Sequence, residues 1–132
     1  MKAISITLLL LLSVVVNLNS QPNYQNVSVS EFTNAKTIPN LVMGLKNENR
    51  GVKRDCIYFA GLYRIPQAFE YLEELLDCEQ DESTLKLAIM AMYRIDCEQT
   101  INCIKNYKKK CDNPRIKKLC QLIEKEYSSS FE

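Results

Sequence analysis

Histidine is absent from the 132 residues of this chain. Histidine is the most frequent acid–base side chain in catalysis, a common metal ligand, and a member of the Ser-His-Asp and Cys-His nucleophilic sites. Its absence excludes those sites. No two cysteines are separated by only two residues, so the usual start of a structural zinc site is also missing. We therefore expect a protein that is not an enzyme and that uses no metal or other cofactor.

The sequence has one long apolar run, at residues 6–16, and no other. Lys2 precedes the run, and the small residue Ser20 follows it just before the polar Gln21. A positive start, a short apolar run and a small residue at the cleavage point are typical of a signal peptide. The run is shorter than the roughly 20 residues that span a bilayer, which disfavours the alternative of a membrane anchor. We predict a secreted, extracellular protein that has no transmembrane segment after cleavage.

An excess of charge of one sign is missing from the rest of the chain. The whole sequence has 17 basic and 16 acidic residues, and removal of the predicted signal peptide takes away Lys2, which leaves 16 of each. Nucleic-acid binding requires an excess of lysine and arginine on one surface. The neutral balance therefore predicts that nucleic acid is not a partner.

The chain divides into four segments by composition. Residues 1–20 are the predicted signal peptide, and residues 21–50 are a polar, irregular lead-in with a short apolar patch that could form one or two helical turns. Residues 51–127 have helical periodicity, and residues 128–132 are a tail. A sequon for N-linked glycosylation begins at Asn26, which predicts a glycoprotein if the protein follows the secretory route.

Six cysteines follow the predicted signal peptide. An even number of cysteines in an exported chain predicts disulfides, each of which contributes about 2–4 kcal/mol to stability. Cys103 and Cys120 lie at nearly equal distances from a predicted turn at Asp112, so they are expected to face each other across a hairpin. The predicted pairs are Cys103–Cys120, Cys78–Cys111, whose members end helices of one layer, and Cys56–Cys97, which is left by elimination.

Apolar residues at helical spacing predict an all-α fold of about five helices. The helix predicted over residues 84–95 is apolar on almost every side, so it must have neighbours on several sides and lie at the centre. Helix starts are predicted where a short polar side chain precedes a helical pattern. The predicted N-caps are Asp81 or Ser83 for this central helix, Asp96 with Gln99 for the next one, and Asn113 for the last.

A short sequence repeat supports a more specific architecture. The sequence Leu-Tyr-Arg-Ile at 62–65 recurs as Met-Tyr-Arg-Ile at 92–95, thirty residues later, and a third helix pair starts near residue 114. Paired helices with a period near 30 are typical of α-solenoids, in which each unit buries a face on the next. We predict a short, disulfide-stapled helical repeat. The alternative is an irregular five-helix bundle in which the sequence match is a coincidence.

Three segments also carry a family resemblance. They are AGLYRIPQAFEYLEELL at 60–76, STLKLAIMAMYRI at 83–95 and NPRIKKL at 113–119. Over about residues 50–126 the chain resembles HEAT-type helical repeats, in particular those in the helical domain of vitellogenin-like large lipid-transfer proteins. That domain is a curved double layer of helices that supports lipid-binding sheets. The resemblance implies a helical scaffold and does not imply a catalytic or ligand-binding site.

Charged residues form two blocks along the chain. The acidic block is Glu70, Glu73, Glu74, Asp77, Glu79, Asp81 and Glu82, and the basic block is Lys105, Lys108, Lys109, Lys110, Arg115, Lys117 and Lys118. We favour mutual pairing across adjacent helices, which contributes about 0–1 kcal/mol per exposed pair. The alternative is a surface that orients a partner, such as a basic patch for an anionic lipid or glycan. The clustered glutamates are interpreted as a solvated helix face rather than as a glycosidase carboxylate pair.

Binding residues are expected on exposed tyrosines and on the basic block. Tyr58 and Tyr71 lie off the strongest apolar helix faces, so they could anchor a protein partner if they are exposed. The candidates are Tyr58, Tyr71, Lys105, Lys108, Lys109 and Lys117. The predicted function is that of a secreted binding module acting through protein–protein interaction, as a secreted effector or venom-type factor does. The alternative is an extracellular carrier of a lipid or other hydrophobic ligand in an interhelical cavity.

Overall fold

The computed structural model describes residues 36–129, which form six α-helices and no β-strand. The helices are α1 (Thr37–Leu45), α2 (Arg50–Leu62), α3 (Phe69–Cys78), α4 (Glu82–Ile95), α5 (Thr100–Lys110) and α6 (Pro114–Ser129), and a 3₁₀ turn at Pro66–Ala68 precedes α3. The predicted all-α class is therefore confirmed for this part of the chain. None of these helices is long and apolar enough to cross a membrane. The predicted signal peptide and the sequon at Asn26 lie outside the described residues.

The six helices recur as three pairs, with 32 residues between equivalent points. Asn49, Asp81 and Asn113 precede α2, α4 and α6, and the side-chain oxygen of each accepts hydrogen bonds from backbone N–H groups of the following turn. These caps satisfy N–H groups that have no partner within the helix. Arg64 and Asp96 follow α2 and α4 with φ angles of 51° and 52°. The first pair, α1 and α2, thus corresponds to α3 with α4 and to α5 with α6.

The second helices of the first two pairs, α2 and α4, run parallel in one layer. Near their starts, the Arg54 guanidinium on α2 donates to the Thr84 hydroxyl on α4 at 3.3 Å. Near their ends, Gly61 lies so close to Ala91 that a Cβ placed on Gly61 would be 2.7 Å from the Ala91 Cα. The starts of α2 and α4 lie together and so do their ends, so the two helices are parallel.

The remaining neighbours follow the same parallel arrangement. The Asn113 amide, before α6, donates to the Glu82 carboxylate at the start of α4 at 3.0 Å. The Tyr127 hydroxyl, near the end of α6, donates to the Asp96 carboxylate just after α4. In the other layer, Lys110 at the end of α5 forms an ion pair with Asp77 near the end of α3. Two layers result, one of α2, α4 and α6 and one that contains α3 and α5.

Helix α4 lies at the centre, as its apolar sequence predicts. It packs against α2, α3, α5 and α6. Ala88, Ile89 and Met92 on α4 are fully buried. An apolar side chain gains about 25 cal/mol for each Å² removed from water. Of the described helices, α4 has the most buried residues, so it contributes strongly to the hydrophobic stabilisation.

The residues that follow α4 differ from the predicted pattern. Asp96 is predicted as an N-cap of the next helix, but it is the C-cap of α4, in the left-handed region, and Gln99 precedes α5. This prediction is wrong because an N-cap residue needs an extended backbone, whereas aspartate also tolerates the left-handed conformation. The predicted caps at Asp81 and Asn113 are confirmed.

The repeated letters Tyr-Arg-Ile do not mark equivalent positions. Arg64 lies after the end of α2, whereas Arg94 lies within α4. The residue that shares the position and the positive φ of Arg64 is Asp96. The structural period is therefore 32 residues, and the sequence match at 30 residues is out of register by two.

The six cysteines are all thiols, and residues 36–129 contain no disulfide. The Cys103 thiol is buried beside the Glu73 carboxylate of α3, whereas the Cys120 thiol is buried near Cys111. Equal distance from a turn places two residues at the same height on a hairpin. The direction of each Cα–Cβ bond then decides which neighbour a side chain meets. The predicted pair Cys103–Cys120 consequently faces two different helices.

The other two predicted pairs are likewise not bonded. Cys78 is exposed, and Cys111 is buried just after α5. The ion pair between Asp77 and Lys110, the residues that precede them, joins the ends of their helices. Cys56 and Cys97 have unrelated surroundings, since the sulfur of Cys56 packs on Gly44 of α1 and the Cys97 thiol lies 3.3 Å from the Thr100 hydroxyl.

Candidate functional site

A surface groove separates α3 from α5, and we call it the α3–α5 groove. It runs from Pro66 and Cys97 at one end to Asp77 and Lys110 at the other. Two open depressions along it enclose about 390 and 290 Å³. Polar and apolar side chains both line these depressions, so the groove suits an amphipathic or polar ligand better than a purely apolar one.

The cation–π contact that joins α1 to α3 has no counterpart between α3 and α5. Between α1 and α3, the Lys46 ammonium lies 4.5 Å from the centre of the Tyr71 ring, a cation–π contact that joins the two helices. The residues 32 positions later are Cys78 and Cys103. Neither cysteine can form a cation–π contact. Contacts between α3 and α5 include the Cys103 thiol beside Glu73 and the ion pair of Asp77 with Lys110.

The α3 wall of the groove is acidic. Glu70, Glu73 and Asp77 are spaced by three and four residues, so they share one face of the helix. Asp77 is paired with Lys110, and the hydrogen bond to Asp77 raises the pKa of that lysine. Within residues 36–129, neither Glu70 nor Glu73 makes an ion pair. The uncompensated negative charge of this wall therefore lies at the Glu70 end.

The α5 wall is lined by side-chain amides. Gln99, Asn102 and Asn106 line the groove opposite Glu70 and Glu73. In the described part of the chain, the side chains of Asn102 and Asn106 make no hydrogen bond. Each carboxamide offers two donors and one acceptor oxygen. This wall can therefore bond to a group that both donates and accepts hydrogen bonds, as a peptide unit does.

The floor of the groove is apolar and chemically inert. Phe69, Leu76, Cys103 and Tyr107 are buried there. Burial raises the pKa of the Cys103 thiol to about 12, and the neighbouring Glu73 carboxylate adds to the effect. Burial also raises the pKa of the Tyr107 hydroxyl. Because the thiolate is the nucleophilic form of cysteine, Cys103 is a packing residue at neutral pH.

The structure does not bring the sequence-predicted binding residues together. Tyr71 is half-buried at the Pro66 end of the groove, beneath Lys46. Tyr58 is 47% exposed on α2. The four lysines lie on α5 and α6: Lys105 and Lys109 are exposed, Lys117 is half-buried, and Lys108 is paired with Glu124 at 2.7 Å. Of the six predicted binding residues, Tyr71 is the one that lines the groove.

The amides of the groove were not recognisable as a site from the sequence. Gln99, Asn102 and Asn106 share one helix face, and that spacing is visible in the sequence. Polar residues with this spacing normally form the solvated side of an amphipathic helix. Only the position of α3 opposite them makes this side one wall of a groove.

The acidic and basic blocks meet at two places, where the favoured pairing is observed. These are the ion pair between Asp77 and Lys110 and the 3.5 Å contact between Glu82 and Arg115. The acidic residues just before α4 form ion pairs with α2 instead. Asp81 contacts Arg50 and Arg54, and Glu79 lies 3.7 Å from Lys53.

Asp81 is the centre of a charge network that joins α2 to α4. Its carboxylate accepts hydrogen bonds from the Thr84 backbone N–H at 2.8 Å and from the Ser83 and Thr84 hydroxyls at 2.7 Å. The Arg50 guanidinium, together with these donors, holds the pKa of Asp81 far below its usual range. The adjacent Glu82 carboxylate accepts hydrogen bonds from the Lys86 ammonium and the Asn113 amide. These bonds, with that of Lys86 the larger cause, lower the pKa of Glu82 to about 2.

These lowered pKa values predict a loss of stability in acid. A carboxylate whose pKa is lower in the folded state stabilises the fold above its unfolded pKa, near 4, and loses that contribution as the pH falls through the folded pKa. We expect the urea midpoint to fall between about pH 4 and pH 2. Asp81→Asn keeps a capping oxygen but removes the charge, so its midpoint should depend less steeply on pH. Equal pH dependence of the two proteins would contradict this assignment.

The fold and the groove define a class of protein: an all-α protein of three helix pairs with an open polar groove between two helices of one layer. No group of three or more Cys, Asp or Glu side chains in residues 36–129 could hold a metal ion. No family model matches the chain, and comparison with curated proteins and with solved structures finds no match either.

Proposed function

We propose that the protein is a secreted, non-enzymatic binding module and that the α3–α5 groove is its contact surface for a protein partner. The observation that carries this proposal is the acidic wall that faces an amide wall on which Asn102 and Asn106 have no hydrogen-bond partner in the described part of the chain. The amides of Asn102 and Asn106 can bond to a ligand without giving up a hydrogen bond within the protein. The groove therefore suits a polar ligand.

The alternative of a hydrophobic-ligand carrier has less support. The depressions along the α3–α5 groove are open and partly polar. The interior around α4 is filled by buried side chains such as Leu72, Ile89 and Met92. A carrier requires an enclosed apolar cavity of about 300 Å³ or more. The groove thus favours protein binding over ligand carriage.

We also propose that the three helix pairs form a short α-solenoid related to HEAT-type repeats. The proposal is supported by the 32-residue recurrence of the caps at Asn49, Asp81 and Asn113 and by the parallel packing within each layer. Units that stack in this way bury their faces on each other, and at least three units are normally needed for stability. The resemblance to vitellogenin-like proteins then concerns the scaffold.

Disulfides remain part of the proposal for the exported protein. Six cysteines behind a signal peptide support them. Of the three predicted pairs, Cys78–Cys111 has the most structural support, because the ion pair of Asp77 with Lys110 joins the ends of the two helices. We expect the mass of the secreted protein to be lower than that of its reduced form by two mass units for each disulfide, which intact mass spectrometry measures. Equal masses would contradict the proposed disulfides.

The groove function is tested by closing the groove with a charge. In Asn102→Arg, the new guanidinium would cross the groove toward Glu70 and Glu73, as Lys110 reaches Asp77. The matched control is Gln121→Arg, which adds the same charge at an exposed position on α6. Each protein is immobilised and exposed to extracellular fluid, and bound proteins and lipids are identified by mass spectrometry.

We expect at least one protein to bind the unmodified protein and the Gln121→Arg variant and to be lost from the Asn102→Arg variant. Circular dichroism checks that both variants keep their helices. A protein retained by all three would show that binding uses another surface. Lipid recovered in place of protein would favour the carrier function.

A further inference from the structure

We propose that the α3–α5 groove binds an extended peptide segment through one arginine, whose guanidinium bridges Glu70 and Glu73. This inference rests on the proposed function, since it specifies the chemistry of the partner. A peptide that contains arginine is complementary to both walls, because the two walls offer different groups. The α3 wall offers negative charge, and the α5 wall offers amides.

The spacing of the two glutamates points to a single positive side chain. Glu70 and Glu73 are three residues apart on α3, which separates them by about 4.5 Å along the helix axis. Side chains on one side of an extended peptide recur at about 6.6 Å. The two glutamates are closer together than two such peptide side chains, so one cation placed between them can contact both carboxylates.

Arginine fits this position better than lysine does. Its planar guanidinium carries five N–H donors, so it can donate to two carboxylates at once. Lysine carries a compact ammonium group that is more strongly hydrated. Glu73 also lies beside the thiol of Cys103 at the groove floor. A cation that reaches Glu73 also contacts this floor, and the weaker hydration of arginine lowers the cost of that contact.

The protein already contains a cation bound to the same wall. Lys110 reaches from α5 to the carboxylate of Asp77, the next acidic residue along α3. This ion pair closes one end of the groove and neutralises its charge there. Glu73 and Glu70 lie one and two turns closer to the start of α3. Within residues 36–129 neither forms an ion pair, although the charge of Lys110 also acts on Glu73. The pairing of Asp77 with Lys110 is an example of a cation bound to this wall, which supports a cation at Glu70 and Glu73.

The amide wall suits the backbone of the same segment. Asn102 and Asn106 are four residues apart, which corresponds to about 6 Å along α5. This distance is close to the two-residue repeat of an extended chain, about 6.6 Å. Each carboxamide can then bond to the N–H and C=O groups of alternate residues. Because α3 has ten residues and is about 15 Å long, the groove holds about four or five residues.

The test is a titration of the ¹⁵N-labelled protein with short peptides, followed by NMR. The probes are acetylated, amidated pentapeptides of sequence Gly-Ser-Xaa-Ser-Gly, in which the central residue is arginine, lysine or citrulline. Citrulline has the shape of arginine without its charge. We expect the arginine peptide to shift the backbone amides of α3 and α5 and the side-chain amides of Asn102 and Asn106.

The expected differences in affinity are large enough to measure. Citrulline should bind about tenfold more weakly than arginine, because hydrogen bonds to a charged group are lost, and lysine should bind about threefold more weakly. In Glu70→Gln/Glu73→Gln, the arginine and citrulline peptides should bind equally. Asn102→Arg should abolish binding of the arginine peptide, and Gln121→Arg should leave it unchanged.

Equal binding of the arginine and citrulline peptides to the unmodified protein, or shifts that map outside the groove, would overturn the inference. The proposed function fails separately, because it depends on capture of a protein that Asn102→Arg loses. If that capture succeeds while the peptides show no preference for arginine, the groove binds a partner by other contacts. If both experiments fail, the groove is not the binding surface.

Discussion

Replacement of Ile89 by alanine is expected to lower the free energy of unfolding by about 2–5 kcal/mol. Ile89 is fully buried on α4, and α4 packs against α2, α3, α5 and α6. The loss combines the transfer free energy of the removed carbon atoms with the cost of the cavity that they leave. A cavity at the centre cannot be filled easily, because helices on several sides would have to move. Urea denaturation followed by circular dichroism measures the change.

The neighbouring residue Met90 is the matched control. Its side chain is 38% exposed on the same helix, so Met90→Ala removes little buried surface and should change the free energy of unfolding by less than about 1 kcal/mol. Both substitutions place alanine, the best helix former, in α4, so helix propensity does not explain a difference. Equal effects of the two substitutions would show that α4 is not central.

Gly61→Ala is expected to destabilise the fold by about 1–3 kcal/mol, although alanine is normally the better residue in a helix. The new Cβ would lie 2.7 Å from the Cα and 3.0 Å from the Cβ of Ala91. The Cα belongs to the backbone of α4, so relief of the contact requires that the two helices move apart. Such movement costs packing along the whole α2–α4 interface, and this cost exceeds the gain of about 1 kcal/mol in helix propensity.

Two further variants separate this backbone contact from side-chain crowding. Ala91→Gly combined with Gly61→Ala removes the 3.0 Å contact but keeps the 2.7 Å contact with the Cα, so it should not restore stability. Gly51→Ala, at the start of α2, meets only the Asn49 side chain at 3.3 Å and should change stability by less than about 0.5 kcal/mol. If Gly61→Ala is as stable as the unmodified protein in urea, the close approach of α2 and α4 is wrong.

The helices were predictable because their signals are local. Asp81 and Asn113 mark helix starts, Pro114 suits a first turn, and the apolar sequence of 84–95 requires a central position. The capping signal was misleading at one aspartate, because aspartate is found both as an N-cap and in the left-handed conformation after a helix. Asp96 resembles an N-cap, but it ends α4 in the left-handed conformation, which aspartate also accepts.

The groove could be predicted only in part. The acidic face of α3 and the amide face of α5 are each visible in the sequence as polar residues at helical spacing. Their proposed role depends on the groove between them. At the positions where Lys46 and Tyr71 join α1 to α3, the next helix pair has Cys78 and Cys103. The sequence does not show that these positions are equivalent, because the two pairs share no residue type.

The amino-acid sequence alone determined the helical class, the position of most helices and the central place of α4, because hydrophobic periodicity and capping act over a few residues. The tertiary structure decided the 32-residue recurrence, the surroundings of each thiol and the groove between α3 and α5. These features depend on which face each helix turns to its neighbours. That rotation is fixed by contacts such as Gly61 with Ala91, between residues that lie far apart in the chain.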